Sequence, residues 1–288
     1  MGKKRTVLTV LFIVAALSAV FLLTVIAFVP DDFAQGLLRG WLEKKAGLSF
    51  RADRFKKVFP AGFESQGMTI FRADNGNAAF NFDKVEVRLN ILRIFLGEIS
   101  ADMEGMVGAG KIRGAAALRR KGVDLDLSVD RVNAADVPHL RALGLKGPGS
   151  ISGKAKLGIL YDAPCPGGSI SAAGEDFDLS SVAAMGFSSL FKDRALVNLD
   201  ISIGAGNCRA RLKALTVDGH DASLRLYGDI FLSKGIPDSE INMTIEIFSK
   251  NGPAEGAASL TLLKQYRKSS NFYSMRLKGR ADNPALTQ

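Results

Sequence analysis

The chain carries two histidines, two cysteines, one tryptophan and four tyrosines in 288 residues, and each scarcity removes a class of chemistry. Nucleophilic hydrolysis needs a base, and the bases on offer are His139, in NAADVPHLRALG, and His220, in the turn sequence DGHDA. His220 stands between Asp218 and Asp221, but carboxylates in a tight turn are normally just solvated, and no serine sits in a G-x-S-x-G elbow. Cys165 and Cys208 form no CxxC pair and have no histidine close in sequence, so a zinc site is not expected. The sequence predicts no catalytic residue, no metal and no cofactor, and hence a protein that is not an enzyme.

In an oxidising compartment two such cysteines are most simply a disulfide, the alternative being two buried free thiols. Cys165 precedes Pro166-Gly167-Gly168 at the entrance of one alternating segment, and Cys208 follows Gly204-Ala205-Gly206-Asn207 at the entrance of another. A bond between them would stabilise the fold by ~4 kcal/mol on a chain-entropy account. It is expected to tie together the flanks of the stretch SSVAAMGFSSLFKDR as a closed excursion over the sheet.

Charge is missing altogether from residues 7–29, VLTVLFIVAALSAVFLLTVIAFV. As a helix those residues would run ~35 Å, enough to cross the hydrocarbon of a bilayer. A cleaved signal peptide is the alternative, but its apolar region is usually only about 7–15 residues long. A cut after Ser18 would also leave eleven apolar residues at the new terminus. An uncleaved anchor is therefore expected, with residues 1–6 as a basic cytoplasmic tail. Lys3-Lys4-Arg5 precede the span and Pro30-Asp31-Asp32 follow it, so the positive-inside bias puts the body outside the cytoplasm.

Elsewhere the chain is basic, at a net +9, and the densest late cluster is Lys264, Arg267, Lys268, Arg276, Lys278 and Arg280. Tyr266, Phe272 and Tyr273 lie among these cations, the pattern of a single-strand nucleic-acid reader, but the extracytoplasmic placement argues against nucleic acid. A solvated strand face is the simpler account. The paired acids Asp124/Asp126 and Glu175/Asp176 invite comparison with a glycosidase dyad, yet the same spacing recurs on any strand with a wet face. GMVGAGKIRG, at 105–114, has the Gly-x-x-x-x-Gly-Lys spacing of a phosphate-binding loop, but Ile112 stands where a Ser or Thr should hold Mg²⁺. Its glycines read better as turn or bulge positions in a sheet.

The rest of the chain alternates. Residues 30–47 predict a short amphipathic helix capped by Asp32, with Phe33, Leu37, Leu38, Trp41 and Leu42 at helical spacing and Gly47 at its end. Its apolar face would lie on the membrane or on the sheet. Beyond it, Val123, Leu125, Leu127 and Val129 alternate with polar residues, as do Val197, Leu199, Ile201 and Ile203, and then Ile241, Met243, Ile245 and Ile247. Such alternation means strands with one apolar and one polar face. Less regular alternation occurs near 63–71, 80–91, 151–159, 168–174, 208–217, 222–232, 257–263 and 271–278, with turn signals at Asn75-Gly76, Gly147-Pro148-Gly149, Asp218-Gly219 and Asn251-Gly252-Pro253. An antiparallel meander of about a dozen strands over 48–288 is predicted. A loose repeat runs through it: VDLDLSVDRV, NAADVPHLRALG, GPGSISGKAKLGI, then GSISAAGEDFDL, SSVAAMGFSSLF, RALVNLDISIG, each strand, insert, strand.

Two stretches carry a family resemblance. CPGGSISAAGEDFDLSSV is followed by GNCRARLKALTVDGHDASLRLYGDIFLSKGIPDSEINMTIEI, in which a second-cysteine strand, an Asp-Gly turn, a strand with Gly228, Ile230 and Leu232, and a further alternating strand come in order. With the basic N-terminus, single span and short helix, this layout resembles the AsmA-like envelope proteins, and more closely the short form of the type II secretion system protein N family. The resemblance implies a mainly β fold: an N-terminal transmembrane helix, then a curved, largely antiparallel sheet with an open groove and short helical inserts. It also implies a single-pass protein of the bacterial inner membrane with a periplasmic body, accessory to type II secretion, its partners the inner membrane and other secretion components. Related AsmA-like proteins are thought to hold acyl chains of phospholipid or lipopolysaccharide. Here the lipid-facing positions would be Val123, Leu125, Leu127, Val129, Val197, Leu199, Ile201, Ile203, Ile241, Met243 and Ile245. Whether that face is an open trough or a core covered by the inserts at 133–145 and 179–192 is left open by the alternation, which assigns faces but not cover.

Overall fold

A computed structural model describes residues 30–288 except 60, 73–75, 77, 92, 94–96, 139, 140, 142–148, 179–193, 234–237, 251–263 and 288. The expected anchor at 7–29, His139, the strand expected at 257–263, residues 139, 140 and 142–145 of the first insert and the whole of the second lie outside the described residues. Among those described, no helix is long and apolar enough to cross a membrane.

Helix α1, Asp31–Ala46, opens the described chain. Asp32 does not cap it: Pro30 holds the N-cap position without a side-chain bond, and Asp31 and Asp32 lie in the first turn, where negative charge meets the positive end of the helix dipole. Gly47 ends the helix at φ 63, its N–H donating to the Glu43 and Leu42 carbonyls. Among the described residues fifteen strands follow. They are β1 Leu48–Arg51, β2 Arg54–Val58, β3 Gly62–Arg72, β4 Ala78–Leu89, β5 Ile99–Val107, β6 Gly110–Arg119, β7 Gly122–Asn133 and β8 Ser150–Leu160. The second half has β9 Gly167–Asp178, β10 Arg194–Gly204, β11 Arg209–Asp218, β12 Ala222–Phe231, β13 Glu240–Ser249, β14 Phe272–Arg280 and β15 Asn283–Thr287. From β3 onward each strand pairs antiparallel with the next, and β1 and β2 share the outer edge of β3. Among the described strands the sheet does not close: β1 and β2 form one edge and β15 the other.

The phosphate-loop spacing falls on the β5–β6 hairpin. Val107 pairs with Gly110, and Gly108, at φ 56, takes the first central position of the turn, as a two-residue II′ connection requires. Its N–H donates to Asp83 Oδ2 at 2.6 Å. No helix begins there, so no row of free helix amides faces an anion.

Strict alternation breaks in ways that keep apolar residues on one face. In β3, Ser65 and Met68 are both buried although three residues apart. Gly67 between them, at φ 59, changes the parity, and a Cβ there would strike Asp53 Oδ2 at 2.0 Å. The loose repeat is structural too. β7 carries Arg131 at φ 48 and β9 carries Asp176 at φ 59, each two residues before its strand ends and beside a register shift. The bulges turn Val132 and Phe177 into buried positions.

Cys165 and Cys208 are bonded, with Cα atoms 5.4 Å apart. The bond joins the β8–β9 loop to the β10–β11 turn. β9 and β11 run in the same direction, so their starts share one end of the sheet, whereas residues 179–193 join β9 to β10 at the other. The expected tie across the flanks of SSVAAMGFSSLFKDR is thus corrected: a whole strand length separates each cysteine from that insert. We call the two ends of the strands the bridge end and the insert end.

Among the described residues three buried clusters line the apolar face. One, at the N-terminal side, gathers Phe50, Met68, Phe82, Val85, Val107, Ile112 and Val132, with Leu38 and Leu42 of α1 packed against it. Two lie at the C-terminal side: Leu224, Ile247, Tyr266, Tyr273 and Met275 with Ala222, and Leu212, Ile241 and Met243.

Candidate functional site: the apolar face of the sheet

The strand registers bring all eleven of the singled-out apolar positions onto one face. Leu127 pairs with Ala155, Ala155 with Ile170, Ile170 with Ile201, Ile201 with Leu212, Leu212 with Gly228 and Gly228 with Met243. A parallel row links Val129, Gly153, Ala172, Leu199, Leu215, Leu226 and Ile245, and another joins Leu125 through Leu157, Gly168, Ile203, Ala210 and Ile230 to Ile241. Val123 and Val197 extend the same face through Ile159 and Gly174.

Cover along that face is uneven. Ile241 and Met243 are buried among their neighbours, and Ile245 packs against the Ile247 cluster, so these three act as core. Leu199 and Ile201 pack at the margin of the Met243 cluster, Val129 at the margin of the Phe50 cluster, and Val197 and Ile203 are half-buried. In the centre, β6 to β8, the described residues leave more open: Leu125 and Leu127 are 36% and 37% exposed, and Leu118 and Ile159 40% each. Helix α1 covers one side of the sheet and the short 3₁₀ turn Lys264–Tyr266 the other. Between them, no buried cluster of described residues includes Leu118, Val123, Leu125, Leu127, Leu157 or Ile159. Uncovered side chains of this size along adjacent strands form the kind of contiguous apolar surface that marks a binding region.

The opposite face is built from cross-strand ion pairs. Asp124 meets Arg119 at 3.0 Å and Asp126 meets Lys156 at 3.3 Å, so each acid of the glycosidase-like pair is engaged by its own cation. Glu175 and Asp176 fall at the β9 bulge. Lys84–Glu64, Lys111–Glu104 and Lys213–Asp200 repeat the pattern. Being exposed, each such pair stabilises by under ~1 kcal/mol. A shallow cleft of about 540 Å³ lies on this face above Ala115, Ala117 and Gly158, between Arg93, Arg119, Lys156 and the carboxylates of Asp102, Asp124 and Asp126. Among the described residues no group of three His, Cys, Asp or Glu is arranged to hold a metal. His220 is exposed, its Nδ1 2.8 Å from Asp221 Oδ1. In the late basic cluster Tyr266 and Tyr273 are buried, and Arg280 pairs with Asp238 and Asp282.

Asp229 is a carboxylate held between two arginines. Arg209 Nε donates to it at 2.7 Å and Arg211 Nε at 3.3 Å. The Arg209 hydrogen bond, chiefly, holds its carboxyl below the ordinary carboxylate range, against burial that pushes it up. A folded pKa below the unfolded one gives stability that is present above the unfolded value and lost as pH falls through the folded one. Wild type is therefore expected to lose more stability than Asp229→Asn between about pH 4 and pH 2, the curves converging in acid. Parallel acid-unfolding curves would contradict the assignment.

Comparison of the chain with protein families, with curated proteins and with solved structures finds no match in any of the three.

Proposed function

We propose that this is a non-catalytic, membrane-anchored envelope protein that holds lipid acyl chains along the apolar face of a curved sheet. The carrying observation is the more open centre around Leu125 and Leu127, left among the described residues between two covered flanks of a sheet whose edges do not pair with each other. An acyl chain has no hydrogen-bonding demands, so it needs only apolar side chains in register, and the rows through Leu125 and Leu127 supply them over neighbouring strands. The uncharged stretch 7–29 and the Cys165–Cys208 bond support an anchored, extracytoplasmic body. Native mass spectrometry of the detergent-purified chain tests the reading: bound phospholipid or lipopolysaccharide is expected, and protein that carries neither would sink it.

A second reading is an accessory component of the type II secretion system in the inner membrane. It is favoured by the order of the elements: an uncharged span, a short helix, then a single antiparallel sheet with its cysteines at the starts of alternating strands. Deleting the gene is expected to impair export of folded enzymes through the outer membrane. Unchanged export, with no secretion component recovered after crosslinking, would count against it.

A further inference from the structure

We infer that the bridge end of the sheet is a seat for an anionic bilayer surface, on which the body rests with its apolar centre opening toward the acyl layer. This rests on reading 7–29 as the anchor, and deepens the lipid proposal by fixing which end meets the membrane.

The first observation is where the chain arrives. Glu43 accepts a hydrogen bond from Ser49 Oγ at 2.6 Å, and Arg39 Nε donates to the Phe50 carbonyl at 3.1 Å. Helix α1 therefore folds back antiparallel along β1 and on toward β2, which it also contacts. β1 pairs with the late part of β3 and β2 with its start, so the start of α1, where residues 7–29 join, is directed toward the bridge end. Phe33 and Leu37, in that first half, are exposed.

The second is the distribution of exposed large apolar side chains. Phe59, Leu89, Ile99, Leu118, Ile159 and Tyr161 lie at the bridge end, Phe59 at 78% exposure and Tyr161 at 63%, against Met106, Leu196 and Phe248 at the insert end. Ile99, Leu118, Val123 and Ile159 are direct cross-strand neighbours in that order. They form the mouth of that centre, so the apolar rim and the apolar face are one surface. An aromatic such as Tyr161, with an apolar body and a polar tip, suits the headgroup level of a bilayer.

The third is charge. The β6–β7 turn beside this rim is Arg120-Lys121, both exposed, and Arg93 is exposed nearby. The acids Glu98 and Asp124 are taken by Arg119, while Arg93, Arg120 and Lys121 have no ion-pair partner among the described residues. Exposed Asp162 next to Tyr161, Asp32 at the start of α1 and Glu240 at the start of β13 are the counterweights at this end. Apolar side chains flanked by unpaired cations match an anionic headgroup layer over its acyl boundary. The stretch Arg119-Arg120-Lys121, which no catalytic reading absorbs, thereby gains a role.

The test uses the full chain in nanodiscs of mixed phosphatidylglycerol and phosphatidylcholine, with a photoreactive phenylalanine placed singly at Phe59, Tyr161, Leu127, Leu196 or Phe248. Lipid adducts are expected at Phe59 and Tyr161 and not at Leu196 or Phe248. Arg120→Gln with Lys121→Gln should lower the adduct yield at least about fivefold, from roughly a fivefold loss per cation, and leave the yield in pure phosphatidylcholine unchanged. Equal labelling at both ends, or labelling of the insert end alone, overturns the seat. Adducts at Leu127 with none at Phe59 and Tyr161 also overturn it while leaving the acyl-binding face standing; adducts at Phe59 and Tyr161 with none at Leu127 support the seat and remove the acyl-binding face. A chain that does not stay with the nanodisc under alkaline wash overturns the anchor and the seat together.

Discussion

Replacing Cys165 by serine is expected to lower the melting temperature by about 10 °C in oxidising buffer and to have no effect in reductant. The bond closes a loop with a sequence separation of 43, which corresponds to about 4 kcal/mol on the chain-entropy account. For a chain of this size each kcal/mol shifts the midpoint by roughly 2–4 °C. Location adds to the argument. The chain joins β9 to β10 at the insert end, and toward the bridge end the two are held by strand pairing, so without the bond nothing covalent holds the β8–β9 loop against the β10–β11 turn. Arg209, next to Cys208, pairs with Asp229 of β12 and lies over the Phe231 ring at 5.7 Å. The strands at the bridge end are thus linked in sequence by a bond, an ion pair and a cation–π contact. The reduced wild type should melt with the variant. Equal melting of both in oxidising buffer, with two thiols titrating in the unreduced, unfolded protein, would contradict the bond and weaken the extracytoplasmic placement.

The second large effect separates core from binding surface on the same face. Phe50 is fully buried, stacked on Phe55 with ring centres 6.4 Å apart and covered by the Arg39 guanidinium at 5.7 Å. Phe50→Ala is expected to cost about 3–5 kcal/mol, since truncation leaves a cavity between α1 and the sheet. Leu125→Gln and Leu127→Gln should cost only about 1 kcal/mol each, because over a third of each side chain already meets solvent. Chemical denaturation measures both. Similar losses at all three sites would mean that the centre is packed as tightly as the flank and is no binding surface.

How far the sequence carries these conclusions depends on the strand. β7, β10 and β13 announce themselves because large apolar and polar residues alternate without a break. β6, GKIRGAAALR, does not: three consecutive alanines put the same side chain on both faces, and period 2 vanishes although the strand is in the middle of the sheet. β1 and β2 are four and five residues long, too short for a period to show, and β15 contains Pro284, which speaks against a strand unless it is an edge. Gly67, Arg131 and Asp176 shift the alternation by local backbone geometry, which a pattern cannot foresee. Face assignment at Val123 to Val129 and at Val197 to Ile203 was legible because parity survives across the registers. The difference between buried Met243 and exposed Leu127 was not, since both sit in the same row and differ only in what packs beside them. The disulfide partners were legible from their number. Their distance from the 179–193 insert was not, because it depends on which way each strand runs.

The claim most exposed to test is that the centre of the apolar face holds lipid. The direct measurement is the molar ratio of phospholipid to protein in the detergent-purified full chain, determined by extraction and mass spectrometry for wild type and for the Leu125→Gln, Leu127→Gln double variant. Wild type is expected to retain lipid and the double variant to lose most of it while keeping its cooperative unfolding transition. Equal lipid content in the two folded proteins, or none in either, would contradict it.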